Sequence, residues 1–124
     1  MLNIKRAYEK KSSGDGKRIL VDRLWPRGLS KEEAAVDEWL KDLSPSNGLR
    51  KWFGHEPGKF PEFRRKYLEE LSVFEKETLL KSIAATAKES DITLIYSAKD
   101  IEHNNAVVLA ELIEKIMREK ARSK

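Results

Sequence analysis

The chain contains no cysteine. That absence excludes disulfides, thiolate metal sites and cysteine nucleophiles, and it makes a cytoplasmic home the default expectation. No apolar run approaches the ~20 residues of a membrane span. The opening stretch MLNIKRAYEKK lacks the apolar segment of a signal peptide, so no membrane partner is expected. Histidine is scarce, with His55 and His103 far apart and in no ligand-spacing pattern, so no metal site is expected. A glycine-rich phosphate loop, a G-x-S-x-G elbow and a dinucleotide fingerprint are missing too. The sequence therefore names no cofactor.

What is present describes a globular chain. Its 124 residues fit a single domain, 1–124, able to bury a core without staples. Hydrophobic residues make up 40% and charged residues 37%, a mixture too apolar for disorder. The net charge of +4 permits an anionic partner without demanding one. Much of the surplus lies in the terminal KARSK, which reads as a frayed basic tail. There is no internal repeat or low-complexity block.

Along the chain, NIKRAY alternates as a strand and EKKSSGDGK is a polar loop. RILVD is a short strand whose Ile19, Leu20 and Val21 suit burial on both faces. In LSKEE, Ser30 and Glu33 form a capping box that opens a helix. AVDEWLKDL fits a short helix running into an irregular third strand, and SPSNGLRKWF a turn and a short helix. FPEFRRKYLEEL is a helix with Pro61 in its first turn and an inner stripe of Phe60, Phe63, Tyr67, Leu68 and Leu71. EKETLLKSIAATAKE is another, with Leu79, Leu80, Ile83, Ala84 and Ala87 inside. Ile92 to Tyr96 is the clearest strand. The last helix, NNAVVLAELIEKIMREK, buries Leu109, Leu112, Ile113, Ile116 and Met117, with Glu111–Lys115 and Glu114–Arg118 as favourable pairs.

Strands alternating with helices predict an α/β domain: a mainly parallel sheet of about four strands flanked by helices. One connection strains this reading. The loop between the first two strands is short for a parallel crossover, so a long-looped hairpin remains open.

In open α/β sheets ligands bind beyond the carboxyl ends of the parallel strands. Two loops occupy such ends, DRLWPRG and SAKDIEHNN. Arg23 and Arg27 each offer a planar fork of donors to phosphate or carboxylate. Trp25 offers a stacking face, while Pro26 and Gly28 shape the turn. Asp22 is either a proton-transfer group or the partner of one arginine, pinning the turn. In the second loop, Asn104 or Asn105 can cap the last helix, whose free N–H groups suit an anion. His103 can move protons near neutral pH, with Asp100 orienting it or acting as base. Lys99 adds a cation. His55 stands in a Gly/Pro loop, and Arg64 and Tyr67 are candidates to face the same sheet end. Trp52 and Phe53 are expected in the core, and the Arg64–Lys66 run as a solvated face.

VDRLWPRG, WFGH, FRRKY and SAKD followed by HNNA resemble the YeaO-like proteins, a branch of domain-of-unknown-function family 488, in the same order along nearly the whole chain. The resemblance implies a small cytoplasmic α/β domain. It also implies a signature of Asp22, Arg23, Trp25, Pro26, Arg27 and Gly28 joined by His55, Arg64, Tyr67, Lys99, Asp100, His103 and Asn104. The wider family often carries cysteine and histidine where this chain reads HNNA, so thiol chemistry does not transfer. It also has a helix between its first two strands, which favours the parallel reading over the hairpin.

The leading expectation is a pocket for an anionic small molecule, phosphorylated or nucleotide-like. Arg23, Trp25, Arg27, His55, Arg64, Tyr67, Lys99 and Asn104 would bind it. Asp22, Asp100 and His103 would carry any chemistry, and whether the protein is an enzyme stays open. Two alternatives stand beside it: a nucleic-acid-binding domain, and an interaction module whose arginine turn is structural. The oligomeric state is not legible.

Overall fold

The computed structural model describes the backbone of residues 1–122 and the side chains of residues 1–119. The side chains of the basic tail 120–124 lie outside these. Strands β1 (Leu2–Arg6), β2 (Lys17–Leu20), β3 (Glu38–Trp39) and β4 (Ile92–Tyr96) form one sheet in the order β1-β4-β2-β3. Every pairing is parallel, with β4 in register against β1 from Leu2↔Ile92 to Arg6↔Tyr96. Five helices accompany them: α1 (Lys31–Ala34), α2 (Asn47–Phe53), α3 (Phe60–Glu70), α4 (Phe74–Glu89) and α5 (Asn105–Arg122). None is long and apolar enough to cross a membrane among the described residues.

The hairpin alternative fails because β4 lies between β1 and β2. The connection from β1 to β2 spans one strand and is tightened by a 3-10 turn at Ser13–Asp15 rather than a full helix.

Alternation along β2 and β4 divides the core. Ile19, Val21, Ile92, Leu94 and Tyr96 face a large core completed by residues of α2 to α5, among them Phe63, Tyr67, Leu80, Ile83, Leu109 and Ile113. Leu20 and Ile95 face the other way, onto Ala7 and a cover of Trp25, Leu29, Val36 and Trp39. Burying one such large side chain contributes about 1.5–3 kcal/mol. β4 is buried along its whole length because it is central and covered on both faces.

On the second face β2 also buries a charge. Arg18 is fully buried and donates to Asp15 Oδ2 (2.6 Å), Ala35 O (3.0 Å) and Ala34 O (2.9 Å). Lys5 Nζ (3.2 Å), the Ser12 amide (3.1 Å) and the Ser12 hydroxyl (2.9 Å) also reach Asp15. Burial works against the Asp15 charge, but these hydrogen bonds outweigh it and hold the carboxyl well below the usual range. The network ties the β1–β2 connection to the end of α1.

The helix signals act as their residues suggest. Ser30 and Glu33 make the capping box of α1, and Pro61 sits in the first turn of α3. Glu111 does not pair with Lys115. It receives Arg64 of α3 instead (2.8 Å), and Lys115 reaches on to Glu119 (4.0 Å).

Candidate functional site

Because all the strands run the same way, the loops after β1, β2 and β4 emerge at one end of the sheet, where α5 begins. A cavity of about 700 Å³ opens there, within the size range of small-ligand sites. Its wall takes Tyr8 from the first loop, Asp22 to Trp25 and Arg27 from the second, and Ser97 to Asp100 from the third. Arg50, Phe53, His55 and Phe63 close it from the α2–α3 side.

The VDRLWPRG stretch proves to be the hinge of this arrangement. The Asp22 carboxylate accepts the Ser97 amide (2.8 Å) and Asn105 Nδ2 (3.0 Å), so it clasps β2, β4 and α5. Asn105 Nδ2 also donates to Val21 O (3.0 Å), and Trp39 Nε1 donates to Asp22 O (2.7 Å). The Asp22–arginine pair, one of the two alternatives for this acid, does not form; the acid fastens the loops to each other instead. Burial pushes its carboxyl above the ordinary value, against the pull of the Asn105 and Ser97 hydrogen bonds.

Pro26 to Leu29 form a tight turn closed by Leu29 N–H on Pro26 O (3.4 Å). Gly28 has φ +82° at the position of this turn that requires a positive φ. No atom lies within 4 Å of a Cβ built on it, so an alanine there meets conformational strain only. Gly28→Ala is expected to lower stability by about 1–2 kcal/mol, read as an earlier urea midpoint; an unchanged midpoint would show that the turn relaxes. Trp25 donates Nε1–H to Leu29 O (2.7 Å) and meets Trp39 edge-on at 5.4 Å between centroids. It is thus both cavity wall and cover of the second face.

The cations of the wall are less committed than those elsewhere. Arg23 gives only its Nε, to Pro45 O at 3.3 Å. The side chains of Arg27 and Lys99 make no hydrogen bond or ion pair among the described residues, though both line the cavity. Arg50 reaches Asn47 at 3.5 Å, leaving its buried Nε without a partner. Arg18 and Arg65, by contrast, each hold carboxylates. Four basic side chains thus stand against two acidic ones, Asp22 and Asp100, in one lining.

Asp100 is turned toward its own loop. It accepts the Glu102 (2.9 Å) and His103 (3.0 Å) amides and His103 Nδ1–H (2.8 Å). Hydrogen bonds from Glu102, then from His103, hold its carboxyl below the ordinary value against the effect of burial. The His103 ring leans edge-on against Phe60 at 5.2 Å, outside the cavity lining. Asn104 is buried in the wall and caps α5, its Oδ1 accepting Val107 N–H at 3.0 Å. His55 lines the cavity in a left-handed backbone conformation, φ 61°.

Besides His103, two more expected residues lie outside the lining. Arg64 is exposed on α3 and bound to Glu111, because it stands one residue past Phe63 and so off the inner stripe. Tyr67 is fully buried beneath the cavity and donates its hydroxyl to Leu43 O. Burial raises its phenol well above the usual value, so it stays a donor. Of the aromatics expected in the core, Phe53 is buried, but Trp52 is 37% exposed with Lys66 (4.1 Å) and Lys59 (5.2 Å) over its ring. Tyr8, Arg50 and Ser97 also line the cavity; no sequence motif marks them as binding residues, although Ser97 directly follows a strand.

The architecture defines a small, all-parallel α/β domain with a cationic cavity at the carboxyl ends of its strands. The chain belongs to the DUF488 family: the model of that family's "Inactive DUF488-N3 subclade" matches residues 1–124. It is 45% identical over 115 residues to the uncharacterized protein YeaO of Escherichia coli K12, covering 93% of this chain and 98% of that one. An uncharacterized protein of Mycobacterium tuberculosis and another of Mycobacterium bovis are each 36% identical to it over 112 residues, 90% of this chain and 92% of theirs. No solved structure matches significantly.

Proposed function

We propose that the cavity binds an anionic small molecule, phosphorylated or nucleotide-like, and does not transform it. The observation that carries this is the set of cations lining one cavity with donors unspent, above all Arg27 and Lys99. Arginine forks match phosphate or carboxylate oxygens two at a time. The description of the matching family as an inactive subclade favours binding over chemistry. So do the commitments of the acids: each Asp22 oxygen already accepts a hydrogen bond, and Asp100 is held as a carboxylate by its own loop.

Nucleic-acid binding through the Arg64–Lys66 face is the weaker reading. Arg64 is matched by Glu111, Arg65 by Glu62 and Glu69, and Lys66 lies over Trp52. These groups have little free charge to offer a phosphate backbone.

A thermal-shift series with inorganic phosphate, sugar phosphates and nucleotides tests the proposal. A ligand at ~100 times its dissociation constant adds about 2.7 kcal/mol, about 10 °C for a domain of this size. Arg27→Ala should melt within about 0.5 kcal/mol of the parent, because the side chain is exposed and unpartnered, yet lose most of the shift. Early melting without ligand would make the turn a structural clamp, and the absence of any shift in the parent would remove the anion site.

A further inference from the structure

Tyr8 is an unusually fixed side chain for one so exposed. The residue is 43% exposed and lines the cavity. The hydroxyl donates to Arg27 O at 2.9 Å. The Arg6 guanidinium stands over the ring, 5.1 Å from its centroid. Arg6 is itself held by Ala98 O (2.8 Å) and Ser97 O (3.2 Å). The ring is thus pinned at its edge and backed by a cation on one face. An aromatic surface fixed in advance loses little freedom when another ring stacks on it.

In the wall, Arg50 Nε is buried without a partner among the described residues, and Ser97 Oγ, beside the Asp22 carboxyl, makes no well-formed hydrogen bond. Buried polar atoms are seldom left so, and a ligand is one way to satisfy them. Phe53 and Phe63, stacked at 4.3 Å, add an apolar wall between these groups and the core. A bare anion would use the arginines and leave the tyrosine, the serine and the phenylalanines idle.

We propose that the ligand is a nucleoside monophosphate. The base stacks on Tyr8, the phosphate meets Arg23, Arg27 and Lys99, and sugar or base-edge polar groups meet Ser97 Oγ and Arg50 Nε. This rests on the reading of the cavity as an anion site and adds a planar ring to it. A cavity of about 700 Å³ accommodates one such molecule.

Calorimetric titration at constant ionic strength tests the pieces separately. The probes are inorganic phosphate, ribose 5-phosphate, the four nucleosides, and AMP, GMP, CMP and UMP. The tightest nucleotide should bind at least about tenfold more strongly than ribose 5-phosphate, the gain expected of one base–aromatic stack. In Tyr8→Ala that ratio should fall to about one, and in Tyr8→Phe, which keeps the ring but loses its anchor, it should be intermediate. Melting curves of both variants confirm folding. Equal binding of ribose 5-phosphate and every nucleotide overturns the nucleotide assignment and leaves the anion site standing; a ratio that survives Tyr8→Ala overturns Tyr8 as the stacking surface. A nucleoside that binds as tightly as its monophosphate overturns both. If none of the probes binds, both fall.

Discussion

Replacing Asp15 by alanine is expected to destabilise the fold by about 3–5 kcal/mol, the largest loss of any single substitution considered for this chain. Arg18 has no exposure to water, and Asp15 is its carboxylate. Removing the acid leaves a guanidinium in the sheet interior with two backbone carbonyls and no counter-charge. Lys5 and the Ser12 hydroxyl lose their acceptor at the same time. Asp15→Asn should cost less, because an amide oxygen can still accept from part of the network. The acid arm has a definite sign. The folded-state carboxyl sits below its ordinary value near 3.8, so its contribution is complete above that pH and fades as pH falls below it. Urea titrations of parent and variant should therefore converge toward strongly acid pH; curves that stay parallel would mean that the charge is unimportant.

The second large effect concerns Asp22. Its carboxylate is the clasp between the ends of β2 and β4 and the start of α5, and Asp22→Ala leaves the Ser97 amide without an acceptor. About 2–3 kcal/mol of stability should be lost, the usual consequence of stranding buried donors. Binding to the cavity should weaken as well, since Arg23 and Lys99 sit on the two loops that it joins. Here the pH signature runs opposite to that of Asp15. The Asp22 carboxyl is raised above 3.8 by burial, so its contribution is complete below that pH and declines as pH rises through the interval up to the raised value. Across the mildly acid range the gap between parent and Asp22→Ala should narrow with increasing pH. A widening gap would mean that hydrogen bonding, not burial, governs this carboxyl.

The sequence makes the elements legible wherever local chemistry decides them. Ile92 to Tyr96 has the residues of a strand buried on both faces, and it is one. Ser30 and Glu33 announce α1, and Pro61 announces α3. Strand order is another matter. Nothing in NIKRAY or RILVD says that a strand some 70 residues later will lie between them, so the short connection invites a hairpin. Arg18 looks like the polar edge of an apolar run; Asp15 stands only three residues before it, but the burial of Arg18 also depends on the Ala34 and Ala35 carbonyls, which no local window includes.

The site divides in the same way. Arg23, Trp25, Arg27, Lys99, Asp100 and Asn104 do line one cavity, because the rule for parallel strand ends needs only the direction of β2 and β4. His55 joins them from the α2–α3 connection. Arg64, Tyr67 and His103 do not, since the motif does not say which way a side chain on α3 or at the start of α5 turns. Tyr8 carries no motif at all. It arrives at the cavity only because β1 is parallel to β4 and ends level with it.

The position of β4 also sets an order of assembly. β1 has no sheet partner other than β4, while β2 has only the two-residue pairing with β3 until β4 arrives. During synthesis, then, β1, β2 and α1 to α4 emerge before the strand that unites them. The four-stranded sheet can therefore be complete only once Tyr96 has left the ribosome. The cavity, built on the loops that β4 brings level, comes into being together with the fold rather than being added to a finished scaffold.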